Sequence, residues 1–130
     1  MMLTQEQKDL LEPLTHHERY GKLLIDAIKI WETANPKQKT YGVSRWNDDY
    51  QNKWELQTDY NNCCLVGASV VGKSEKNSCT EEVMTAFNLS MLEALSLARG
   101  FDESDLYNED FSAYSFGKKV ARILFGFNKG

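Results

Sequence analysis

Ser78-Cys79-Thr80-Glu81-Glu82-Val83-Met84-Thr85-Ala86-Phe87-Asn88-Leu89-Ser90-Met91-Leu92-Glu93-Ala94-Leu95-Ser96-Leu97-Ala98-Arg99-Gly100 reads as one long helix. Ser78 and Glu81 have the spacing of a capping box, in which each side chain satisfies the other's free backbone amide. Val83, Phe87, Met91, Ala94, Leu95 and Ala98 follow at helical spacing, and Met84, Leu89, Leu92 and Leu97 add apolar groups on other faces. A helix apolar nearly all round belongs at the centre of a bundle. Gly100 is placed to close it in a left-handed cap.

On either side the chain continues in helical periods. Thr4 and Gln7 open a short helix that Pro13 stops. Thr15-His16-His17-Glu18 has capping-box spacing, and Tyr20, Leu23, Leu24, Ala27, Ile28 and Trp31 continue as one stripe up to Asn35-Pro36. Residues 37–49 read as a loop. Trp46, Tyr50 and Trp54, four apart, suggest a helix over residues 44–56. Asp59-Tyr60-Asn61-Asn62 reads as a turn. Cys63 to Val71 is apolar, and its periodicity leaves helix and strand open. Asn108-Glu109-Asp110 starts a last helix whose inner face is Tyr114, Gly117, Ala121, Leu124 and Phe125. The expectation is a mainly α domain covering residues 1–130. It has four or five bundled helices and at most a minor strand element between residues 37 and 71.

With 130 residues the chain can bury one real core without disulfides or a structural metal. No apolar run reaches a membrane span, and the first residues lack a basic, then apolar, leader. Three cysteines, two of them adjacent, fit reduced thiols in a cytoplasm. The net charge of −4, without a basic stripe, argues against nucleic acid as the partner.

Gly67-Ala68-Ser69-Val70-Val71-Gly72-Lys73-Ser74 matches the phosphate-loop pattern G-x-x-x-x-G-K-[ST] letter for letter. A working loop needs a strand before it, a packed helix from its Lys-Ser pair onward, and a later apolar strand ending in a magnesium-binding Asp. Here Glu75-Lys76-Asn77 follows, and the helix signal restarts only at Ser78. The alternative function is nucleotide or phosphate binding through Gly67, Gly72, Lys73 and Ser74. His16 and His17 are adjacent and point to different faces, so no metal site is expected. Cys63, Cys64 and Cys79 lack a histidine that spacing would place beside them. No catalytic residue and no cofactor is assigned.

Asp102, Asp105, Glu109 and Asp110, interleaved with Phe101, Leu106, Tyr107 and Phe111, suit an acidic and aromatic contact patch. Trp46 and Trp54 join it as candidate partner-binding residues, with the core as the competing place for them. The helical opening, Cys64-Leu65-Val66-Gly67-Ala68 as Cys-x-x-Gly-Ala, and a long following helix are together similar to small uncharacterised proteins of bacteria and bacteriophages. The similarity covers about half the chain and implies no activity. It is compatible with a phage-encoded protein that binds a host protein. The expectation is a non-enzymatic protein-binding or inhibitory protein acting on a partner with a basic surface, homodimer formation included.

Overall fold

The computed structural model describes residues 3–40, 42–47, 52–56, 62–73, 78–104 and 111–126. The chain is mainly helical, with six α-helices among the described residues. Helix α1 (Gln5–Leu11) leads through a 3₁₀ helix (Glu12–His16) to α2 (Gly21–Trp31). Strands β1 (Asn35–Pro36), β2 (Val43–Asn47), β3 (Asn52–Leu56) and β4 (Asn62–Cys63) follow. Helices α3 (Leu65–Val70), α4 (Cys79–Phe87), α5 (Met91–Asp102) and α6 (Phe111–Phe125) complete the fold. No described helix is long and apolar enough to cross a membrane.

Thr4 and Gln7 form the expected reciprocal cap of α1, with Gln7 N donating to Thr4 Oγ1 at 3.1 Å and Thr4 N to Gln7 Oε1 at 2.8 Å. Helix α2 buries Leu23, Leu24, Ala27 and Trp31, the apolar stripe visible in its sequence. The start of α2 is a correction. Thr15 lies in the 3₁₀ helix and donates its hydroxyl to Glu12 O at 2.6 Å instead of capping, so α2 opens at Gly21. Local backbone bonding by a threonine hydroxyl competes with capping, and here it wins.

The long central helix is two helices. Asn88 takes the left-handed conformation at φ 54°, closing α4, and Ser90 with Glu93 builds a new capping box for α5. Left-handed backbone costs Asn less than most residues, so the break falls there. Gly100 is not the cap either. It lies buried inside α5, and Glu103 at φ 56° ends that helix. A Cβ on Gly100 would stand 2.1 Å from Tyr114 O, and one on Gly117 of α6 would stand 2.4 Å from Leu97 O. These two glycines let the α5 and α6 backbones touch.

The helix expected over residues 44–56 is instead an antiparallel hairpin. Val43 pairs with Leu56 and Asn47 with Asn52. Trp46 therefore pairs with Lys53, and Trp54 with Arg45. A second ladder joins β1 to β4 in parallel, Asn35 to Asn62 and Pro36 to Cys63. Asn35-Pro36 thus forms the edge of a small sheet after the helix has ended at Trp31. The undecided Cys63–Val71 segment divides into both states: Cys63 is strand and Leu65–Val70 is helix, all six of its residues buried. The turn expected at residues 59–62 and the start of the last helix at 108–110 fall largely outside the described residues. The core runs from α2 through α3 to α5 and α6, with the Trp31 and Phe101 rings stacked at 6.0 Å.

Candidate functional site

Of the acidic segment, Asp102 and Glu103 are described, and both are engaged within the fold. The Asp102 carboxylate accepts from Lys39 N at 2.8 Å. Burial pushes its pKa up, against the pull of the Lys39 amide and charge. Glu103 accepts from Gln38 Nε2 at 3.2 Å and lies 3.8 Å from Arg122 Nε. Asp105, Tyr107, Glu109 and Asp110 lie outside the described residues. Trp54 belongs to the core at 6% exposure, which removes it from any contact surface. For Trp46 only the strand position is described.

Asp102 also borders a cavity of about 230 Å³ with Lys39, Thr40, Cys64 and Ala98. A thiol beside a carboxylate in a cavity invites a catalytic reading, but the chemistry is wrong. Burial pushes the Cys64 thiol up to about 12, and its sulfur accepts from Gly67 N at 3.3 Å as the cap of α3. The nucleophile in thiol chemistry is the thiolate, which needs a lowered pKa. Cys63 and Cys79 are buried too, and desolvation raises them to about 12 and about 11.

The phosphate-loop pattern is folded in the reverse order. Its first half is helix α3, and Gly72-Lys73 follow the C-terminal end of that helix, where backbone carbonyls collect. Amides that would cradle phosphate are spent: Ala68 N donates to Cys64 O, Gly72 N to Trp54 O and Lys73 N to Val70 O. The Lys73 ammonium is held by Asp26 Oδ2 at 2.9 Å and sits over the Phe87 ring at 5.2 Å. Ser74 lies outside the described residues.

His16 contacts the Glu12 carboxylate at 2.7 Å, and His17 stacks on Tyr20 at 4.8 Å while Nδ1 accepts from the Arg19 and Tyr20 amides. No group of three His, Cys, Asp or Glu side chains able to hold a metal occurs among the described residues.

A different surface has the shape of a binding site. Leu10 at the end of α1, Pro13 and Leu14 in the 3₁₀ helix, and Ile123 on α6 line a groove of about 400 Å³. Lys119 and Arg122 stand on its α6 side. Leu10 is 52% exposed, although it neighbours the fully buried Leu11. A second hollow, lined by Ser115, Lys118, Lys119 and Arg122, shares two of those cations and extends the surface along α6. Nothing local in the sequence marks Lys118, Lys119 and Arg122 as the edge of a binding surface. The available signal was the apolar cluster Leu10-Leu11 and Pro13-Leu14 around the end of a short helix.

No protein-family model, no curated protein and no solved structure matches the chain.

Proposed function

We propose that this protein works by binding another protein rather than by catalysis, and that the groove between α1, the 3₁₀ helix and α6 is the contact. One observation carries the reading. A half-exposed leucine sits in a concave apolar surface rimmed by cations, a small version of the apolar centre and polar rim of protein interfaces. The described acids Asp102 and Glu103 support the acidic patch less well, because both are committed to internal partners.

The test is site-specific photo-crosslinking in cells that make the protein. A photoreactive phenylalanine analogue at Leu10 is compared with one at Met91, which is 57% exposed on α5 away from the groove. One discrete protein adduct at Leu10 and none at Met91 is the expected result. No adduct at Leu10, or the same adducts at both positions, would overturn the proposal.

A further inference from the structure

The charge on the groove identifies what kind of partner fits it. On α6, Ser115, Lys118, Lys119, Arg122 and Ile123 recur at three- and four-residue spacing and so occupy one face over two turns, about 12 Å of helix. The cations form a row along one wall, and the apolar floor of Leu10, Pro13, Leu14 and Ile123 lies beside it. Arg122 already faces Glu103 at 3.8 Å, and Lys118 lies over the Tyr114 ring at 5.7 Å. Lys119 is exposed, with no carboxylate within 4.0 Å among the described residues. On the neighbouring segments the Glu12 carboxylate contacts His16 at 2.7 Å, and Asp9 accepts from Gln5 at 2.9 Å.

We infer that the groove receives an amphipathic helix from a protein partner, with its apolar stripe on the Leu10–Ile123 floor and a row of acidic side chains against Lys118, Lys119 and Arg122. This rests on the protein-binding reading above and adds the sign of the partner's charge, opposite to the basic partner that the net charge of −4 suggests. Net charge describes the whole surface, whereas a docked helix responds to the charges within a Debye length, about 8 Å at physiological salt. Helix-in-groove recognition uses anchors at i, i+3, i+4 and i+7, which span two turns and so match the length of the cationic row. A lone carboxylate on a small amphiphile would engage one cation of that row and leave the others unused.

The experiment uses the full chain and two fluorescein-labelled synthetic helices of about 18 residues, or five turns. Both carry the same leucine stripe. One is flanked by Glu, the other by Lys at the same positions. Fluorescence anisotropy should show the Glu peptide bound at least about tenfold more tightly than the Lys peptide, with the gap narrowing at high salt. Lys119→Glu should remove or reverse that preference, and Leu10→Ser should weaken the Glu peptide by about tenfold. Both positions are exposed, and circular dichroism confirms that the variants remain folded. Equal or tighter binding of the Lys peptide, an unchanged preference in Lys119→Glu, or no binding of the Glu peptide overturns the assignment. Displacement of the Glu peptide by a single-stranded oligonucleotide or by oleate at lower concentration than by unlabelled Glu peptide overturns it too. If the charge assignment fails while the Leu10 cross-link persists, the groove still binds protein and only the partner's chemistry is wrong. If the cross-link is also lost, the protein-binding reading fails with it.

Discussion

The Arg19 guanidinium holds the Glu93 carboxylate with two parallel bonds, Nε to Oε2 at 2.6 Å and Nη2 to Oε1 at 2.7 Å. Arg19 precedes α2 and Glu93 lies in the first turn of α5, so one pair ties the two halves of the chain together. Tyr20 Oη donates to Glu93 Oε2 at 2.7 Å, and Ser90 N donates to Oε1 at 3.0 Å. Bidentate pairing of this kind is stronger and more specific than a single ion contact.

These donors, led by the Arg19 bonds and opposed by burial, hold the Glu93 carboxyl at about 2, against an ordinary value of 4.5. A depressed carboxyl stabilises the fold fully above its unfolded pKa and loses that contribution as pH falls through the folded one. The loss therefore falls between pH 4.5 and about 2. Asp102, raised by burial, acts in the opposite sense. Urea unfolding of wild type and Glu93→Gln isolates the Glu93 part. At pH 7 the variant should be less stable by about 1.5–3 kcal/mol, the usual worth of hydrogen bonds to a charged group. The two curves should converge as pH drops through that window. A constant difference across it would show that Glu93 is not held ionised by this network.

Close contact between α5 and α6 depends on Gly100 and Gly117, where an added methyl would meet backbone rather than a movable side chain. Gly100→Ala and Gly117→Ala should each destabilise by about 1–3 kcal/mol or more, despite alanine's better helix propensity. Thermal melts check this. Unchanged or raised melting temperatures would mean that the helices are not in backbone contact.

The legible part of the fold was the part written in local signals. Thr4 with Gln7 and the stripe through Leu23, Leu24, Ala27 and Trp31 are short-range patterns that formed as read, and of the box expected at Ser78 the bond from Glu81 N to Ser78 Oγ formed. The misread parts are decided by tertiary contact. Trp46, Tyr50 and Trp54 fit a helical period, but β3 also bonds across to residues 72–73, with Trp54 N donating to Lys73 O at 3.2 Å. That pairing is remote in sequence. The break at Asn88 was hidden because apolar residues fall on every face across it, Val83, Leu89, Ala94 and Leu97 buried and Met91 and Leu92 exposed, so the apolar pattern marks no change of helical phase. The groove was illegible for a related reason. It joins Leu10 to Ile123 across almost the whole chain, and no local pattern records that.

Burial ranks the apolar residues of α4 and α5 in a way that their sequence did not. Leu97 is fully buried, whereas Leu95 and Phe87, the residues that helical spacing placed inside, are half-buried. Leu97→Ala should cost about 2–5 kcal/mol and Leu95→Ala clearly less. Equal costs in chemical denaturation would contradict the orientation of α5.

Cys63, Cys64 and Cys79 are all buried, and all three thiols are pushed up to between about 11 and about 12 by desolvation. Native protein at pH 8 should react slowly with a disulfide reagent, and denatured protein should release three equivalents at once. Rapid reaction of one thiol in the native state would reveal an accessible, activated cysteine and reopen a catalytic reading for the cavity beside Asp102.

Lys73 offers the most direct test of the phosphate-loop alternative, because the structure gives its ammonium another task. It bridges α2, through Asp26 at 2.9 Å, to the segment that pairs with β3 through Trp54. Lys73 and Asp26 are 25% and 19% exposed, so their pairing is partly shielded from water. Lys73→Ala should therefore cost about 1–3 kcal/mol. A double-mutant cycle with Asp26→Asn should return a coupling of at least about 0.5 kcal/mol. A lysine waiting for phosphate would behave differently. Its removal would leave stability nearly unchanged, and ATP or GTP with magnesium would raise the melting temperature of wild type alone, since a ligand that binds only the folded state stabilises it by mass action. The expected result is a stability loss in Lys73→Ala and no nucleotide-dependent shift in either protein. A shift seen in wild type and abolished in Lys73→Ala would mean that the lysine can leave Asp26 for a phosphate, and the binding groove on α6 would then have a rival.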